Sequence, residues 1–304
     1  MWFFIVFFLG LTACILAGSE LSLYYARLGL HLWFEKMVPS LLPFMILSGC
    51  MVRMQLTDKI SMLLSPVISP LWKVRKKAVY CMTLGFLCGF PMGARVTAEL
   101  YERGELSRRE ADYLLAFCNN IGPVYFCSFV LPLLGRQLIA PYLFGMYGIP
   151  LLYGLFLRNT LFRDLESPQR GKNLEKGPAP VGCFQALEAS VSSSAKSMLS
   201  LGGYMILFNL LNILPHTLLG RKPVVLAPLL EITGGLSMLE GSLPLYSLLA
   251  LAFGGLSCMA QTFSCIADTD LSINGYIVHK ILLTILTALY YLAWFLLWPE
   301  SFLG

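Results

Sequence analysis

The sequence predicts an all-α polytopic membrane protein, and three observations support this fold class. The 304-residue chain is 57% hydrophobic and its mean hydropathy is +0.71. Only 13% of its residues are charged, whereas roughly 25% is typical of soluble domains. Its apolar runs approach the roughly 20 residues that a membrane-crossing helix needs. Strands of alternating polarity are absent from the sequence, which argues against a β-barrel.

Apolar runs of helical length recur along the whole chain. We predict helices at 2–17, 38–54, 78–94, 113–134, 139–157, 199–214, 224–239, 244–260 and 276–298. Several of these are short or interrupted by Gly or Pro. No Lys or Arg precedes the first run, so we interpret it as an uncleaved helix. Lipidation of Cys14 in "LTAC" is the alternative.

The segment 158–182 is the only long polar stretch and divides the chain in two. We therefore predict an N-terminal transmembrane helix (1–19), a first repeat (20–157), a polar cytoplasmic linker (158–182) and a second repeat (183–304). Basic residues cluster in loops beside the spans, which marks the cytoplasmic side. They are Lys73, Arg75, Lys76, Lys77, Arg103, Arg108, Arg109, Arg158, Arg163, Arg170, Lys172 and Lys176.

Three local matches occur in the same order in both halves and predict pseudo-symmetric repeats. They pair 40–49 with 200–209, 64–71 with 226–233, and 89–107 with 254–272. The basic run "KVRKK" (73–77) has no basic counterpart in 237–245, so an inverted relation fits the positive-inside rule better. If 56–72 crosses the membrane, however, the inversion fails unless another segment does not cross.

Each predicted repeat begins with a more polar segment. These segments are "ELSLYYARLGLHLWFEKM" (20–37) and "FQALEASVSSSAKSM" (184–198). We expect either amphipathic helices lying at the membrane interface or ordinary polar loops with partial helix.

The stretch "GFLCGFPMGARVTAEL" (85–100) places Gly and Pro breakers inside an apolar run. Freed backbone groups are not tolerated against lipid, so they must face protein or a watery cavity. We predict that 78–103 is a re-entrant helical hairpin, with a kinked span as the alternative. Its tip and gating residues would be Gly89, Phe90, Pro91 and Gly93. Arg95 and Glu99 follow at a spacing that allows them to pair.

Two further segments carry polar residues inside apolar runs. Asn119 and Asn120 in "AFCNNIGPVYF" precede a Gly-x break, and buried amides need partners. They would line a binding site or join helices structurally. Glu231 and Thr233 in "LLEITGG" precede Gly234 and Gly235, which would be further tip and gating residues. Because an intramembrane carboxylate indicates a functional site, Glu231 and Thr233 would contribute to the substrate or ion site. The alternative is structural pairing of Glu231 with Lys280, Arg95 or an Asn.

A fourth segment, "FGGLSCMAQTFSCIADTD" (253–270), is the predicted counterpart of the first hairpin. Gly254 and Gly255 would act as its tip, and Ser257 and Gln261 would contribute to the substrate or ion site. We expect Asp268 and Asp270 to lie in a solvated turn.

The sequence carries no recognisable enzyme motif. It has no phosphate-binding G-x-x-x-x-G-K-[ST], no G-x-S-x-G and no H-E-x-x-H. Its nine cysteines form no C-x-x-C pair and fall mostly in apolar segments. We therefore expect no enzyme activity, no catalytic residue, no cofactor and no metal site. The basic residues are not interleaved with aromatics, so we expect no nucleic-acid partner.

Taken together, these motifs resemble a known family. The ordered set "GFPMGA" (89–94), Asn119–Asn120, "EIT" (231–233) and "GLS" (255–257) with Gln261 resembles the YlbJ-type sporulation integral membrane proteins. These are placed with the Gate, or nucleoside-recognition, domain family. The likeness covers roughly 35–290. Members usually have Tyr where this chain has Phe90.

The resemblance implies a multi-pass protein of the mother-cell or forespore outer membrane, needed for spore cortex formation. It also implies paired hairpins and broken helices like those of concentrative nucleoside transporters. We expect a transporter or permease whose partners are the lipid bilayer and an unknown small polar solute or ion. A homo-oligomer is possible. The alternative is a non-transporting scaffold or assembly factor for cortex synthesis.

Overall fold

The computed structural model describes residues 2–165 and 179–302, and it is built from α-helices. About 81% of the described residues are helical, and no strand occurs in the two described ranges. The predicted all-α fold is therefore confirmed. Of the predicted linker 158–182, residues 166–178 lie outside the described residues.

Eighteen helices follow one another along the described chain. In the first half they are α1 (Trp2–Ala17), α2 (Ser19–Leu32), α3 (Val38–Arg53), α4 (Thr57–Trp72), α5 (Lys76–Cys88), α6 (Met92–Glu102), α7 (Arg108–Leu115), α8 (Pro123–Tyr125), α9 (Leu131–Leu134), α10 (Ile139–Leu143) and α11 (Ile149–Asn159). In the second half they are α12 (Cys183–Leu210), α13 (Ile213–Leu219), α14 (Ala227–Leu230), α15 (Ile232–Leu239), α16 (Pro244–Phe253), α17 (Gly255–Ile266) and α18 (Ile273–Leu297).

Single wide or tight helical turns join several of these helices. Wide turns connect α2 to α3, α8 to α9 and α10 to α11, and a tight turn precedes α10. As a result, five continuous stretches of the described chain are long and apolar enough to cross a membrane. They are Ser19–Arg53, Arg136–Asn159, Cys183–Leu219, Pro244–Ile266 and Ile273–Leu297.

The two segments expected at the membrane interface belong instead to long continuous helices. Residues 20–37 run straight into α3, and 184–198 form the first half of α12. The two long helices pack along each other, and Gly29 allows this, because a Cβ there would lie 2.8 Å from the Ile206 Cα. The segments are therefore helical rather than loops, and they continue into candidate membrane spans instead of standing as separate helices. Among their serines, Ser22, Ser190 and Ser194 are buried in the packing between helices.

The basic loops meet at one end of the bundle, which we call the basic end. Hydrogen bonds and ion pairs there join the loops 73–77, 103–110, 158–165 and 268–272. Examples are Arg158 to the Lys73 carbonyl (3.2 Å), Lys77 to Glu105 (2.6 Å) and Arg108 to Asp270 (3.2 Å). This clustering is what the positive-inside rule expects of a cytoplasmic face.

A first hairpin enters the bundle from the basic end. Helices α5 and α6 pack against each other around the turn Gly89–Pro91, whose Phe90–Pro91 peptide bond is cis. The hairpin starts at Lys76 and returns to Glu102, so both arms open toward the basic end. The predicted hairpin in 78–103 is thus present, and its tip lies within the predicted 89–93.

A second hairpin enters from the opposite end. Helices α14 and α15 fold back on each other around Glu231. Gly235 on α15 lies so close to Pro228 on α14 that a Cβ would overlap the Pro228 backbone. The loop before α14 carries Lys222, whose ammonium lies 5.3 Å from the Tyr24 ring near the start of α2. The segment 224–239, predicted as one helix, is therefore a hairpin.

Helix α4 does not cross the bundle. Near its start, the Thr57 hydroxyl accepts a hydrogen bond from Lys77 (2.7 Å). Near its end, the Ser69 carbonyl accepts one from the Val74 amide (3.3 Å). Both ends therefore lie beside the same basic loop. This removes the objection to inversion that a crossing segment 56–72 would raise.

The repeats themselves stay a prediction. The hairpins enter from opposite ends, as inverted repeats would require. However, the matched segments do not occupy equivalent elements: 64–71 lies in α4, whereas 226–233 forms the second hairpin. Likewise 89–93 is a hairpin tip, whereas 254–255 is a break within the 23-residue stretch Pro244–Ile266. The counterpart of the first tip is the turn at Glu231 rather than Gly254.

Candidate functional site: the cavity between two hairpin tips

The first hairpin tip lies directly against a break in the chain between α7 and α8. At Gly89 the backbone has φ +77°, a left-handed conformation that glycine adopts without strain. A Cβ at Gly89 would overlap the backbone of Gly122. On the return arm, Gly93 similarly faces the Cys118 carbonyl. The glycines thus let the hairpin touch the broken span backbone to backbone.

The broken span carries the two predicted amides, Asn119 and Asn120. Both side chains make hydrogen bonds within the protein. The Asn119 amide donates to the Thr262 hydroxyl on α17 (2.8 Å), and its oxygen accepts from the Ala94 amide on α6 (3.4 Å). Asn120 donates to the Phe117 carbonyl (2.7 Å). Both are buried and neither lines the cavity described below. In this state Asn119 joins the broken span to α6 and α17, as the structural alternative expects, whereas Asn120 bonds within its own segment.

The second hairpin tip is organised by Glu231. Its carboxylate is 2% exposed and caps the start of α15, accepting bonds from the amides of Thr233 (3.1 Å) and Gly234 (2.6 Å). It also accepts a bond from the Asn209 side chain on α12 (3.0 Å). A carboxylate at a helix N-terminus is stabilised by the free amides and the helix dipole. Among the expected structural partners, an Asn is the one found.

Glycine and tyrosine residues complete this second tip. Gly234 leaves room for the Asn209 side chain, which a Cβ there would overlap. The Thr233 hydroxyl accepts a hydrogen bond from Tyr125 on α8 (3.3 Å). Glu231 and Thr233 are therefore held by three different elements, and Tyr125 links the second hairpin to the broken span beside the first.

The break between α16 and α17 contacts both hairpins. Gly254 and Gly255 have φ +82° and +80°. A Cβ at Gly254 would lie 3.3 Å from the Phe90 ring, and one at Gly255 would lie 3.1 Å from the Pro228 carbonyl. The two glycines thus allow close approach at a junction of two hairpins, although they do not form a hairpin tip themselves.

A cavity of about 50 Å³ lies between the two tips. Its lining includes Phe90, Gly122, Tyr125, Glu231, Thr233 and Gln261. Ser257 lies behind it, fully buried, and accepts a hydrogen bond from Gln261 (2.9 Å). A space of this size accommodates a few waters. It is partly rather than fully enclosed around the carboxylate.

A larger basin of about 430 Å³ lies on the basic-end side of the cavity. Gln261 and Leu201 line both spaces, and Pro91 of the first tip lines the basin while Phe90 lines the cavity. The tip of the first hairpin therefore forms the partition between them. The basin is polar, with charges from α3, α6 and α12 and hydroxyls from α12.

Charge pairing in the basin differs from the expected Arg95–Glu99 pair. Glu99 pairs with Arg53 on α3 (3.0 Å). Arg95 donates from Nη2 to Ser193 (3.1 Å) and Ser194 (3.2 Å) on α12, and its Nη1 has no hydrogen-bond partner among the described residues. The serines of α12 bind Arg95 in place of Glu99, because they lie across the basin from α6. Local i, i+4 spacing could not reveal that neighbour.

The predicted solvated turn contains one fixed aspartate. Asp268 lines the basin. Asp270 is exposed, accepts a hydrogen bond from the Tyr101 hydroxyl (2.5 Å) and pairs with Arg108 (3.2 Å). The Tyr101 hydrogen bond, with the nearby Arg108 charge, lowers the pKa of Asp270 below its usual value. Asp270 thus joins α6 and α7 to the start of α18 rather than reaching the cavity.

Lys280 on α18 is a buried cation that the sequence considered only as a partner of Glu231. It is 3% exposed, and its ammonium lies 4.8 Å from the centre of the Phe90 ring. No acidic residue lies within ion-pair distance of it among the described residues. A cation–π contact therefore holds Phe90 at the tip, and Phe90 lies between Lys280 and the cavity.

Three important residues went unnoticed in the sequence: Asn209, Tyr125 and Ser194. Asn209 carries a usable signal, because it stands with Asn212 at the end of an apolar run, where amides need partners. Tyr125 and Ser194 carry none, since Tyr and Ser are common in membrane helices and only their neighbours in space give them a role.

Comparison with known proteins supports the resemblance seen in the motifs. The chain is similar to the sporulation integral membrane protein YlbJ of Bacillus subtilis (strain 168). The two are 26% identical over 345 aligned positions, which cover 97% of this chain and 82% of the relative. No family model matches the chain, and no solved structure matches it. Likeness to a YlbJ-type protein is thus confirmed, whereas the Gate-family assignment stays a prediction.

Proposed function

We propose that this chain is a transporter or permease for a small polar solute or ion. The observation that carries the proposal is the cavity in which two oppositely entering hairpin tips and two broken spans meet around Glu231. Broken helices midway along the spans are how many transporters build their binding sites. An intramembrane carboxylate is itself expensive to bury and is retained where it serves a function.

The conformation supports a specific working cycle. The basin admits solute from the basic end, and the first tip closes the way from the basin to the cavity. Because the cavity accommodates only a few waters and the first tip lies between it and the basin, solute passes from the basin to the cavity only when a tip moves. Alternating access then requires the first tip to open toward the basin and, separately, the opposite end to open past the second hairpin.

We further propose that the activity serves sporulation, at the stage of cortex formation, in the mother-cell or forespore outer membrane. The name of the B. subtilis relative supports the sporulation part of this proposal. The cortex and the compartment follow from the family resemblance alone. The test is complementation: an endospore-forming bacterium lacking its YlbJ relative should regain cortex and heat-resistant spores when it carries this chain. Failure of an inserted, folded chain would contradict the sporulation role.

Passage through the cavity can be tested with two native thiols. Cys265 lines the basin and Cys258 lines the cavity. In chains that keep one of these cysteines and carry Ala at the other eight, a membrane-impermeant maleimide is added to vesicles of either orientation. A transporter predicts that Cys265 reacts from the basic-end side and that Cys258 reacts slowly from both sides.

A chain that retains only Cys81 is the control, because that thiol is fully buried and lines neither space. It should stay unreactive from both sides. If Cys258 is as unreactive as Cys81 while Cys265 reacts, nothing passes the tips. That result would favour the scaffold alternative, in which the glycine contacts around Gly89 and Gly93 serve only close packing.

A further inference from the structure

We infer a binding site for the anionic headgroup of a phospholipid between α4 and the start of α5. The site is an open cavity of about 490 Å³ at the basic end of the bundle. It shares no lining residue with the basin or the cavity between the tips. The inference therefore stands apart from the proposed transport function.

Five of the seven lining residues carry a cation or a hydroxyl, and the other two are Pro66 and Val74. The cavity is lined by Arg75, Lys76 and Lys77 on one side and by Ser65 and Ser69 of α4 on the other. No acidic residue contributes to the lining. Arg75 pairs with Glu110, and Lys77 pairs with Glu105 (2.6 Å), which fixes both side chains in place. Lys76 is exposed and makes no ion pair among the described residues, so its charge is available to a ligand.

The position of α4 places this cavity at the level of lipid headgroups. Because both ends of α4 lie beside the basic loop, the helix runs across the basic end rather than through the bundle. Its buried face carries Thr57, Ser61 and Ser65. Its outer face presents large apolar side chains that are 52–84% exposed, namely Met62, Leu63, Val67 and Leu71. Such a helix lies in the membrane interface with its apolar face in the acyl region.

The cations of the cavity therefore adjoin the apolar face of α4, just as the charged headgroup of a phospholipid adjoins its acyl chains. Acyl chains would cover the apolar face of α4, and the phosphate would reach the cations and hydroxyls behind it. Basic pockets on the cytoplasmic side of membrane proteins bind anionic headgroups, and each nearby Lys or Arg contributes about 1 kcal/mol. A free phosphate would use the cations alone, whereas the adjoining apolar face favours the lipid.

The test uses the purified full-length chain in nanodiscs of phosphatidylcholine, with or without a minor fraction of phosphatidylglycerol. Native mass spectrometry counts retained lipids, and thermal unfolding reports stabilisation. We expect preferential retention of phosphatidylglycerol and a higher unfolding temperature. Lys76→Gln should weaken phosphatidylglycerol binding about fivefold, since about 1 kcal/mol corresponds to that factor. Ser69→Leu, which removes a lining hydroxyl and narrows the cavity, should also weaken it.

Lys59→Gln is the matched control, because Lys59 is an exposed lysine of α4 that does not line the cavity. It should leave binding unchanged. Equal losses in the Lys59 and Lys76 variants would show diffuse charge attraction and overturn the site. Equal retention of phosphatidylcholine would overturn the charge selectivity. Inorganic phosphate that reproduces the full stabilisation would assign the cavity to a soluble anion instead.

Discussion

The two hairpin tips meet at one cavity, but they are held in different ways. The first tip contains no side-chain hydrogen bond at its turn; backbone packing of Gly89 against Gly122 and the contact of Phe90 with Lys280 hold it. The second tip is held by three hydrogen bonds to the buried carboxylate of Glu231. Charge-assisted bonds are roughly twice as strong as neutral ones.

This difference assigns distinct roles to the tips. A tip held by packing and one cation–π contact can move away without leaving a buried charge unpaired. Opening the second tip would separate Glu231 from Asn209 and strip a buried carboxylate of a partner, which is costly. We therefore interpret the first hairpin as the moving gate on the basin side and the second as the fixed wall of the site.

The largest expected effect comes from Gly89→Ala. The new Cβ would overlap the Gly122 backbone, and φ +77° is strained for alanine. Strain and overpacking together should lower the free energy of unfolding by about 2–5 kcal/mol, measured by chemical unfolding in detergent. Gly203→Ala is the control, since nothing lies within 4 Å of its Cβ position. A wild-type-like Gly89→Ala protein would contradict the packed first tip.

Glu231→Gln tests the second tip. A glutamine amide would direct its NH2 group at the Gly234 or Asn209 donors, leaving buried groups unsatisfied. We expect a loss of about 1–3 kcal/mol in unfolding free energy, together with loss of complementation. Glu240→Gln, at an exposed glutamate just after α15, should have little effect. Equal stabilities for the two variants would show that the Glu231 bonds do not hold the tip.

Lys280→Met separates gating from stability. It removes a buried cation that lacks an anionic partner, so stability should stay the same or rise. It also removes a contact worth about 0.5–2 kcal/mol at the first tip, so maleimide should label Cys258 faster from the basic-end side. Lys222→Met, which removes an exposed cation–π contact with Tyr24, should leave the labelling unchanged. Severe unfolding of Lys280→Met would reveal an anionic partner and refute the gate.

Tyr101→Phe should have the smallest effect, because Asp270 is exposed and lies outside the cavity. The pKa of Asp270 is lowered in the folded chain. Its stabilising contribution is therefore present above the unfolded pKa of about 3.9 and is lost as the pH falls through the lower folded value. Removing the hydroxyl should raise this pKa toward its ordinary value, which NMR titration of labelled aspartate can measure. An unchanged pKa would show that the Tyr101 hydrogen bond is absent in solution.

The sequence alone predicted those structural features whose determining residues lie next to one another in the chain. Gly89 and Pro91 place two breakers within three residues and so predict a break in the helix. A lone Glu231 in an apolar run indicates a functional position. The break at Gly254 was equally predictable from the sequence, but whether it makes a hairpin or a broken span was not. Two arms form a hairpin only if they can pack together, as Gly235 and Pro228 do, and α16 and α17 instead continue as one broken span.

Other features depend on proximity in space and could not be deduced from spacing. The contact of Lys280 with Phe90 joins residues from opposite halves, and Asn209 reaches Glu231 from a different helix. Helix α4 shows the limit of hydropathy, because an interfacial helix and a short span can have the same apolar content. The bond between Thr57 and Lys77 places its first turn beside the basic loop.

Hydrogen–deuterium exchange of the native chain in nanodiscs tests the central claim most directly, namely that the first tip moves and the second stays fixed. Exchange reports local opening free energies, and peptides covering 85–96 and 228–239 compare the tips in one sample. Our account predicts faster exchange in the first peptide, with a further increase there in Lys280→Met and no change in the second. Equal protection of both tips, or faster exchange around Glu231, would contradict it.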